Sequence, residues 1–254
     1  MVPLLGTDAG RRELGRGAGG DRTVELDQRA ETAALDELRA LAERTQGFSV
    51  LSEEAGLVDL GAPWPRVLLD PVDGSLNAKR GLPVVGLIAA VLEGPTVADL
   101  KLGYVANITS GESWSVVRGG GAFHDGERIT PMRVAASGRI EMVGTESPTR
   151  DLLKLEPLIR RASRLRLLGS IAVSLAHTAT AGIDVYASAT QMRIFDCATG
   201  ILMVQEAGGV ATDLDGRPLD GLPLDLTTRT TVLASAHPDL HRLALDLLGI
   251  EGTP

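Results

Sequence analysis

The chain has 254 residues, 44% hydrophobic and 3% aromatic, with 33 acidic against 25 basic side chains and a formal net charge of -8. That length makes one large domain or two small ones and buries about 70–75% of the unfolded surface, so no covalent staples are required. Interspersed acids and bases exclude the basic face that a nucleic-acid partner demands, scarce aromatics exclude stacking on single strands, and a lone cysteine, Cys197, excludes an internal disulfide and a cysteine-rich zinc site.

The most apolar window, residues 84–92, falls short of the ~20 residues that span a bilayer, and no cationic leader followed by an apolar segment opens the chain. A soluble, cytoplasmic protein with no membrane partner is expected. An acidic protein still binds an anionic substrate where metal ions reverse the local field.

Residues 1–20 are rich in Gly and Arg. The run Gly15-Arg16-Gly17-Ala18-Gly19-Gly20 superficially matches a dinucleotide fingerprint, but no apolar strand precedes it, so a mobile loop or hairpin tip is expected. Residues 26–44 place Ala30, Ala33, Ala34, Leu38 and Leu41 at helical spacing, opened by Asp27 and stopped by Gly47. Two short apolar runs follow, 48–51 and 67–69, the first ending in Glu53-Glu54 and the second in Asp70. Such strands bring their acids together only when they lie side by side in register. Strands are expected at 84–92, 99–106 and 113–117, the last closed by Gly119-Gly120-Gly121 and the turn Asp125-Gly126. The first half is therefore a helix or two against a mainly antiparallel sheet.

After Pro131 the elements alternate: strand 141–145, helix 152–162, strand 164–168, helix 171–180 and strand 184–188. A helix over 196–207 ends at Gly208-Gly209, and strands 210–212 and 231–234 precede an amphipathic helix, 238–248. The second half reads as α/β. No repeat is evident, and a boundary near residues 135–139 divides the chain into halves 1–136 and 137–254.

The stretch Leu68-Leu69-Asp70-Pro71-Val72-Asp73-Gly74-Ser75 delivers two carboxylates and a glycine to the end of an apolar strand. Alone, it is equally ordinary turn chemistry. Its company is what matters: Asp27, Glu53, the Asp70/Asp73 pair and Asp196 each sit at an element edge, with no His or Cys cluster. Such a set suits Mg²⁺, which binds through a few carboxylates and substrate phosphate. Asp196 also reads as a helix N-terminal acid that caps the helix and suits its macrodipole. Spacing excludes an aspartyl-nucleophile phosphatase, which needs Asp-x-Asp, and an EF-hand loop, which needs more oxygen ligands.

The block Asp70-Pro71-Val72-Asp73-Gly74-Ser75-Leu76-Asn77, with Ser52-Glu53-Glu54 upstream and Phe195-Asp196-Cys197-Ala198-Thr199-Gly200 then Glu206-Ala207-Gly208-Gly209 downstream, resembles the inositol monophosphatase and fructose-1,6-bisphosphatase superfamily. Gly20-Asp21-Arg22-Thr23 before Asp27, Gly119 to Phe123, and Leu168-Gly169-Ser170 match further blocks in the same order. The resemblance covers nearly the whole chain. It implies an α/β fold, an αβαβα sandwich of the sugar-phosphatase type with an antiparallel-sheet half, an α/β half and the active site between them. It also implies two or three Mg²⁺ ions held by Glu53, Asp70, the Val72 carbonyl, Asp73 and Asp196. Asp27, Glu53 and Ser75 become the catalytic group, in which Ser75 with Asp27 behind it orients and deprotonates the attacking water. Asp73, Gly74, Ser75, Gly169, Ser170 and Arg193 become the substrate contacts.

Residues 75–83 and 193–196 are similar to the archaeal-type enzymes that accept both inositol monophosphate and fructose 1,6-bisphosphate. Ala189 and Phe195 stand where animal inositol monophosphatases carry Glu and Trp, which weakens strict inositol specificity. Arg193 suits a second phosphate or a plain salt bridge, and Lys79 and Arg80 carry the same two readings. Family members usually begin with a longer helix, for which this chain offers about two turns over residues 7–14. His124, His177, His237 and His241 lack ligand spacing and read, with Cys197, as packing or surface residues. The expected function is Mg²⁺-dependent hydrolysis of a small sugar or polyol phosphate, and the resemblance makes a homodimer the assembly to expect. The alternatives are a phosphatase of 3′-phosphoadenosine 5′-phosphate or histidinol phosphate and, in another class, a catalytically silent metal-binding subunit.

Overall fold

The computed structural model describes residues 2–20, 22–131 and 139–250. The half boundary expected near 135–139 falls, apart from Arg139, outside the described residues, as does Asp21. A hairpin of β1 (Glu13–Arg16) and β2 (Arg22–Val24) leads into α1 (Glu25–Ala42). Asp27 occupies the third helical position of α1 and accepts the Val24 N–H at 3.1 Å, which satisfies one of the helix's open donors. The two helical turns expected over 7–14 do not form. Thr7 Oγ1 donates to the Leu4 carbonyl at 2.9 Å and accepts the Gly10 N–H at 3.1 Å, so its side chain takes backbone partners a helix would need, and Glu13 and Leu14 pass into β1.

Next come β3 (Phe48–Ser52) and β4 (Gly56–Asp73), and β4 passes β3 twice. Its first arm folds back antiparallel, with Ser52 opposite Gly56 and Val50 opposite Val58; its second arm runs parallel, with Ser49 opposite Arg66 and Ser52 opposite Leu69. After the short helix α2 (Ser75–Arg80), strands β5 (Gly86–Leu92), β6 (Leu100–Asn107), β7 (Ser113–Val117), β8 (Gly121–His124) and β9 (Glu127–Arg128) extend the sheet antiparallel to seven strands in chain order. In β5 every second residue, including Ile88, Ala90 and Leu92, is buried, as a pleated strand with one core face requires.

The second sheet joins β10 (Met142–Gly144), β11 (Arg164–Arg166), β12 (Val185–Arg193), β13 (Val210–Thr212) and β14 (Arg229–Ser235) in the order β11-β10-β12-β14-β13. β10 pairs parallel with both β11 and β12, and β14 pairs antiparallel with β12 and β13. The helices are α3 (Glu156–Arg161), α4 (Ile171–Ala179), α5 (Ile194–Glu206) and α6 (Pro238–Leu247). Two elements differ from expectation. The helix expected over 152–162 is a 3-10 segment, Thr149–Leu155, followed by α3, because Pro157 has no N–H to continue a ladder and suits a new first turn. The strand expected to end at Ser188 continues through a bulge to Arg193, which carries that arginine to the start of α5.

Layering follows from which faces are apolar. α4 and α5 lie between the sheets, where Leu175, Phe195 and Ile201 meet Leu68, Ile88 and Trp114 of one and Tyr186 and Val232 of the other. Gly200 is the point of closest approach: a Cβ there would lie 2.4 Å from Leu175 Cβ. α1 covers the outer face of the larger sheet through Leu35 against Val50 and Leu69, while Leu158 and Leu240 cover the smaller sheet through Val143, Val185 and Leu233. The result is an α-β-α-β-α sandwich. The central helices start where strands of both sheets end.

Candidate active site

The parallel arm of β4 supplies the register on which the site depends. With Ser52 opposite Leu69, the chain leaves both strands at the same edge, and the Glu53 N–H still reaches the Leu69 carbonyl at 3.3 Å. Glu53 and Asp70 therefore emerge side by side. Asp70 is 2% exposed, and its Oδ1 accepts the Val72 N–H at 2.9 Å. Asp73 Oδ2 accepts the Ser170 hydroxyl at 2.5 Å and the Ala172 N–H at 2.8 Å, so the first turn of α4 holds the carboxylate. Gly74 has φ 97°, and a Cβ there would stand 2.7 Å from the Gly169 carbonyl oxygen, so both the turn and the close approach demand glycine. Asp196 sits in the first turn of α5.

A cavity of about 320 Å³ opens over these groups, lined by Glu53, Asp70, Val72, Asp73, Gly74, Ser75, Arg193 and Asp196, together with Arg22, Glu54, Lys79 and Ile171. Burial raises the Asp70 carboxyl well above its ordinary value, and the charges of Glu53, Asp73 and Asp196 push it further. Burial also raises Asp73 against the hydrogen bond from Ser170, raises Asp196 to about 7 against the pull of Arg193, and raises Asp27 to about 6. Each shift reports carboxylates crowded in a dry site. Arg193 answers part of that charge: its Nη2 donates to Glu53 Oε1 at 2.5 Å and its Nε to Asp196 Oδ2 at 2.9 Å. Burial opposes the arginine's charge, but Asp196 and Glu53 hold it protonated, above its usual value.

Asp196 Oδ1 and Asp27 Oδ1 are buried and have no hydrogen-bond partner among the described residues. Orphaned oxygens in an acid-rich cavity fit a hard cation. As the side chains stand, however, no three His, Cys, Asp or Glu of the described residues are gathered as a ligand set. The reason lies in the contacts above: Arg193 takes one oxygen each from Glu53 and Asp196, and Asp73 Oδ2 is turned to α4. The orphaned oxygens weigh more than the spacing, because a buried acceptor without a donor needs an occupant whereas side-chain spacing adjusts by rotamer.

The sequence-predicted residues separate into two groups. Glu53, Asp70, Val72, Asp73, Gly74, Ser75, Arg193 and Asp196 all line the cavity. Asp27 lies behind Ser75, near enough for its hydroxyl to help hold the Asp27 carboxyl down, while the one Ser75 hydroxyl proton points to the Val72 carbonyl at 3.2 Å. Gly169 and Ser170, expected against substrate, are instead spent on the wall: the Gly169 N–H goes to Glu146 Oε2 at 2.8 Å and the Ser170 hydroxyl to Asp73. Neither lines the cavity.

Glu146 was not singled out from the sequence. It accepts the Leu168 N–H at 3.0 Å, the Gly169 N–H and the Ser174 hydroxyl at 2.8 Å, and burial raises it to about 7. It thereby fixes the loop that backs Gly74. Its signal was present, since it directly follows the strand expected over 141–145, as Glu53 and Asp70 follow theirs. A second cavity of about 500 Å³, which shares Ile171, Arg193 and Asp196 with the first, adds Glu146, Thr190, Gln191, Met192 and Arg229. Among the described residues no helix is long and apolar enough to cross a membrane.

Comparison with known proteins identifies the family and the fold. The profile of the inositol monophosphatase family matches residues 7–250. The chain is 30% identical over 261 residues to the fructose-1,6-bisphosphatase/inositol-1-monophosphatase of Methanothermobacter thermautotrophicus, covering 98% of this chain and 91% of that protein. It is 31% identical over 255 residues to the protein of the same name from Thermococcus kodakarensis, with coverage of 98% and 91%. A solved inositol monophosphatase-fructose 1,6-bisphosphatase superposes with a TM-score of 0.83 at 23% identity, covering 97% of this chain and 93% of that one, a likeness of fold.

Proposed function

As a chain that belongs to the inositol monophosphatase family across residues 7–250, this protein is a phosphatase, and we propose that it removes phosphate from a small sugar or polyol phosphate with Mg²⁺ as cofactor. The observation that carries this reading is the orphaned Asp196 Oδ1 in a cavity where Glu53, Asp70 and Asp73 converge beside Gly74-Ser75. Glu53, Asp70, the Val72 carbonyl, Asp73 and Asp196 would hold the ions. Bound there, divalent cations supply Lewis acidity toward phosphate oxygens and make water a stronger acid.

The chain's own residues do the rest. Ser75 orients the attacking water and relays its proton: the water's proton passes to Ser75 Oγ as the Ser75 hydroxyl proton passes to the unpartnered Asp27 Oδ1, and with its carboxyl at about 6, Asp27 is charged and ready near neutral pH. The N–H groups of Gly74 and Ser75 face the phosphate. The adjoining 500 Å³ cavity receives the leaving group, with Thr190 and Gln191 offering polar contacts to hydroxyls and Arg193 standing at the border of both spaces. No covalent phosphoenzyme is required.

Inositol monophosphate and fructose 1,6-bisphosphate are the substrates this reading favours, because the relatives that are 30–31% identical over nearly the whole chain bear both activities in their names and Arg193 places a cation at the border of the two cavities. The test is phosphate release from fructose 1,6-bisphosphate, inositol 1-phosphate, histidinol phosphate and adenosine 3′,5′-bisphosphate, each at fixed Mg²⁺ and with chelator. Metal-dependent turnover of either of the first two supports the proposal. Preference for the third or fourth replaces its substrate, and release from none of the four overturns the sugar or polyol phosphate assignment.

A further inference from the structure

Eight charged side chains line the 320 Å³ cavity, five of them acids, Glu53, Glu54, Asp70, Asp73 and Asp196. The three bases differ in what they do. Arg193 is committed to Glu53 and Asp196, and Arg22 pairs with Glu13 at 2.9 Å on the rim. Lys79 is half-buried on the cavity wall, yet among the described residues its ammonium has no ion pair or hydrogen bond. Only its backbone is engaged, accepting Arg11 Nε at 2.6 Å. Its charge nonetheless reaches the site, since it lowers the Asp27 carboxyl behind Ser75.

An ammonium drawn partly out of water without a partner is costly. The last turn of α2 does not need it for the macrodipole, because the exposed Arg80 supplies a cation there. Lys79 shares the wall with Gly74 and Ser75, the side on which the phosphoryl group and attacking water meet in the reading above. We propose that Lys79 is a phosphate-facing residue of this site: its ammonium, presented from the end of α2 into the acid-lined cavity, binds the phosphoryl group and stabilises the charge that builds there. The chain thus supplies a cation of its own where relays of carboxylates supply only anions.

This rests on the phosphatase reading for its kinetic arm and not for its binding arm. Binding of inorganic phosphate to the full chain in Mg²⁺ is measured by calorimetry for wild type, Lys79→Met and Lys79→Arg, alongside thermal unfolding. Lys79→Met weakens phosphate binding about tenfold or more, the loss expected for a charge-assisted hydrogen bond, and lowers kcat more than it raises KM. Lys79→Arg restores most of the phosphate affinity, and neither variant lowers the unfolding midpoint. Phosphate affinity equal in wild type and Lys79→Met overturns the proposal, as does a lowered midpoint with unchanged affinity, which would make Lys79 a helix-end cation. A wild type that binds phosphate and cleaves none of the four substrates fails the phosphatase reading and leaves Lys79 to the binding arm alone.

Discussion

Two populations of carboxylate in this chain are built from the same side chain and end in opposite states. At the start of the 3-10 turn Val97–Asp99, Asp99 Oδ2 accepts the Thr96 N–H at 3.0 Å and the Thr96 hydroxyl at 2.7 Å, and those bonds lower its carboxyl. Asp184 Oδ2 similarly accepts the N–H groups of Glu141 and Met142 at 2.6 and 2.9 Å, fixing the entry to β10. Around Asp70 the same chemistry is left open: four acids converge, burial raises Asp70, Asp73 and Asp196, and Asp196 Oδ1 has no donor. Acids that hold the fold have their donors in the chain. Acids left short of donors mark where something else must bind.

Asp73→Asn tests that contrast most severely. Asn keeps the shape and an oxygen for Ser170 and Ala172, so the fold stands, but it removes a negative charge from the cavity. Turnover should fall by roughly 10³-fold, the scale on which removing a transition-state electrostatic partner acts. The Mg²⁺-induced rise in melting temperature should shrink with it. Near-normal kcat would place Asp73 with Asp99 and Asp184, among the acids that only hold structure.

How much of this was visible beforehand depended on whether a feature is local. The apolar runs at 48–51 and 67–69 and the acids after them are readable because alternation and termination are written into neighbouring residues. The parallel pairing that puts Ser52 opposite Leu69 is not, because β4 must first fold back along β3 and return, and nothing within five residues encodes that path. The same holds for Gly169 and Ser170. Their motif placed them at the site, but only the contacts with Glu146 and Asp73 reveal that their polar groups face the wall. Residues 7–14 failed in the other direction: helical length was available, but Thr7 spent its hydroxyl on the backbone of its own turn.

The open population also predicts a pH dependence that the satisfied one lacks. Glu54 and Asp196 are pushed to about 7 and Asp27 to about 6, each first by burial. In the unfolded chain such groups titrate near ~4. Between about pH 4 and 7 the folded, metal-free protein therefore holds more protons, so these groups contribute stability that is complete below pH ~4 and lost as the pH rises through ~7. Burial lowers His241 to about 4, which gives an opposite slope in the same range. The difference between melting curves in chelator and in saturating Mg²⁺ removes that contribution. It should widen from pH 5 to pH 8, toward the ~2.7 kcal/mol that ligand at a hundredfold its Kd supplies. A pH-independent difference would show that protons and cations do not compete for these oxygens.

The smallest effect comes from the satisfied population, and it is the control on which the comparison rests. Asp99→Ala removes a cap whose two donors, the Thr96 N–H and hydroxyl, stay near solvent and can rehydrate. The cost should be small, a fall of about 2–4 °C or less in melting temperature for a chain of this size. The turn stays anchored from its other side by Arg118, whose Nη2 and Nε hold the carbonyls of Val97 and Leu100 at 2.9 and 2.8 Å. kcat, KM and the Mg²⁺ dependence should not move, because Asp99 lines neither cavity of the candidate site. A loss of turnover would mean that stability, rather than open acid chemistry, limits activity, and it would take from Asp73→Asn its meaning as a measure of the site.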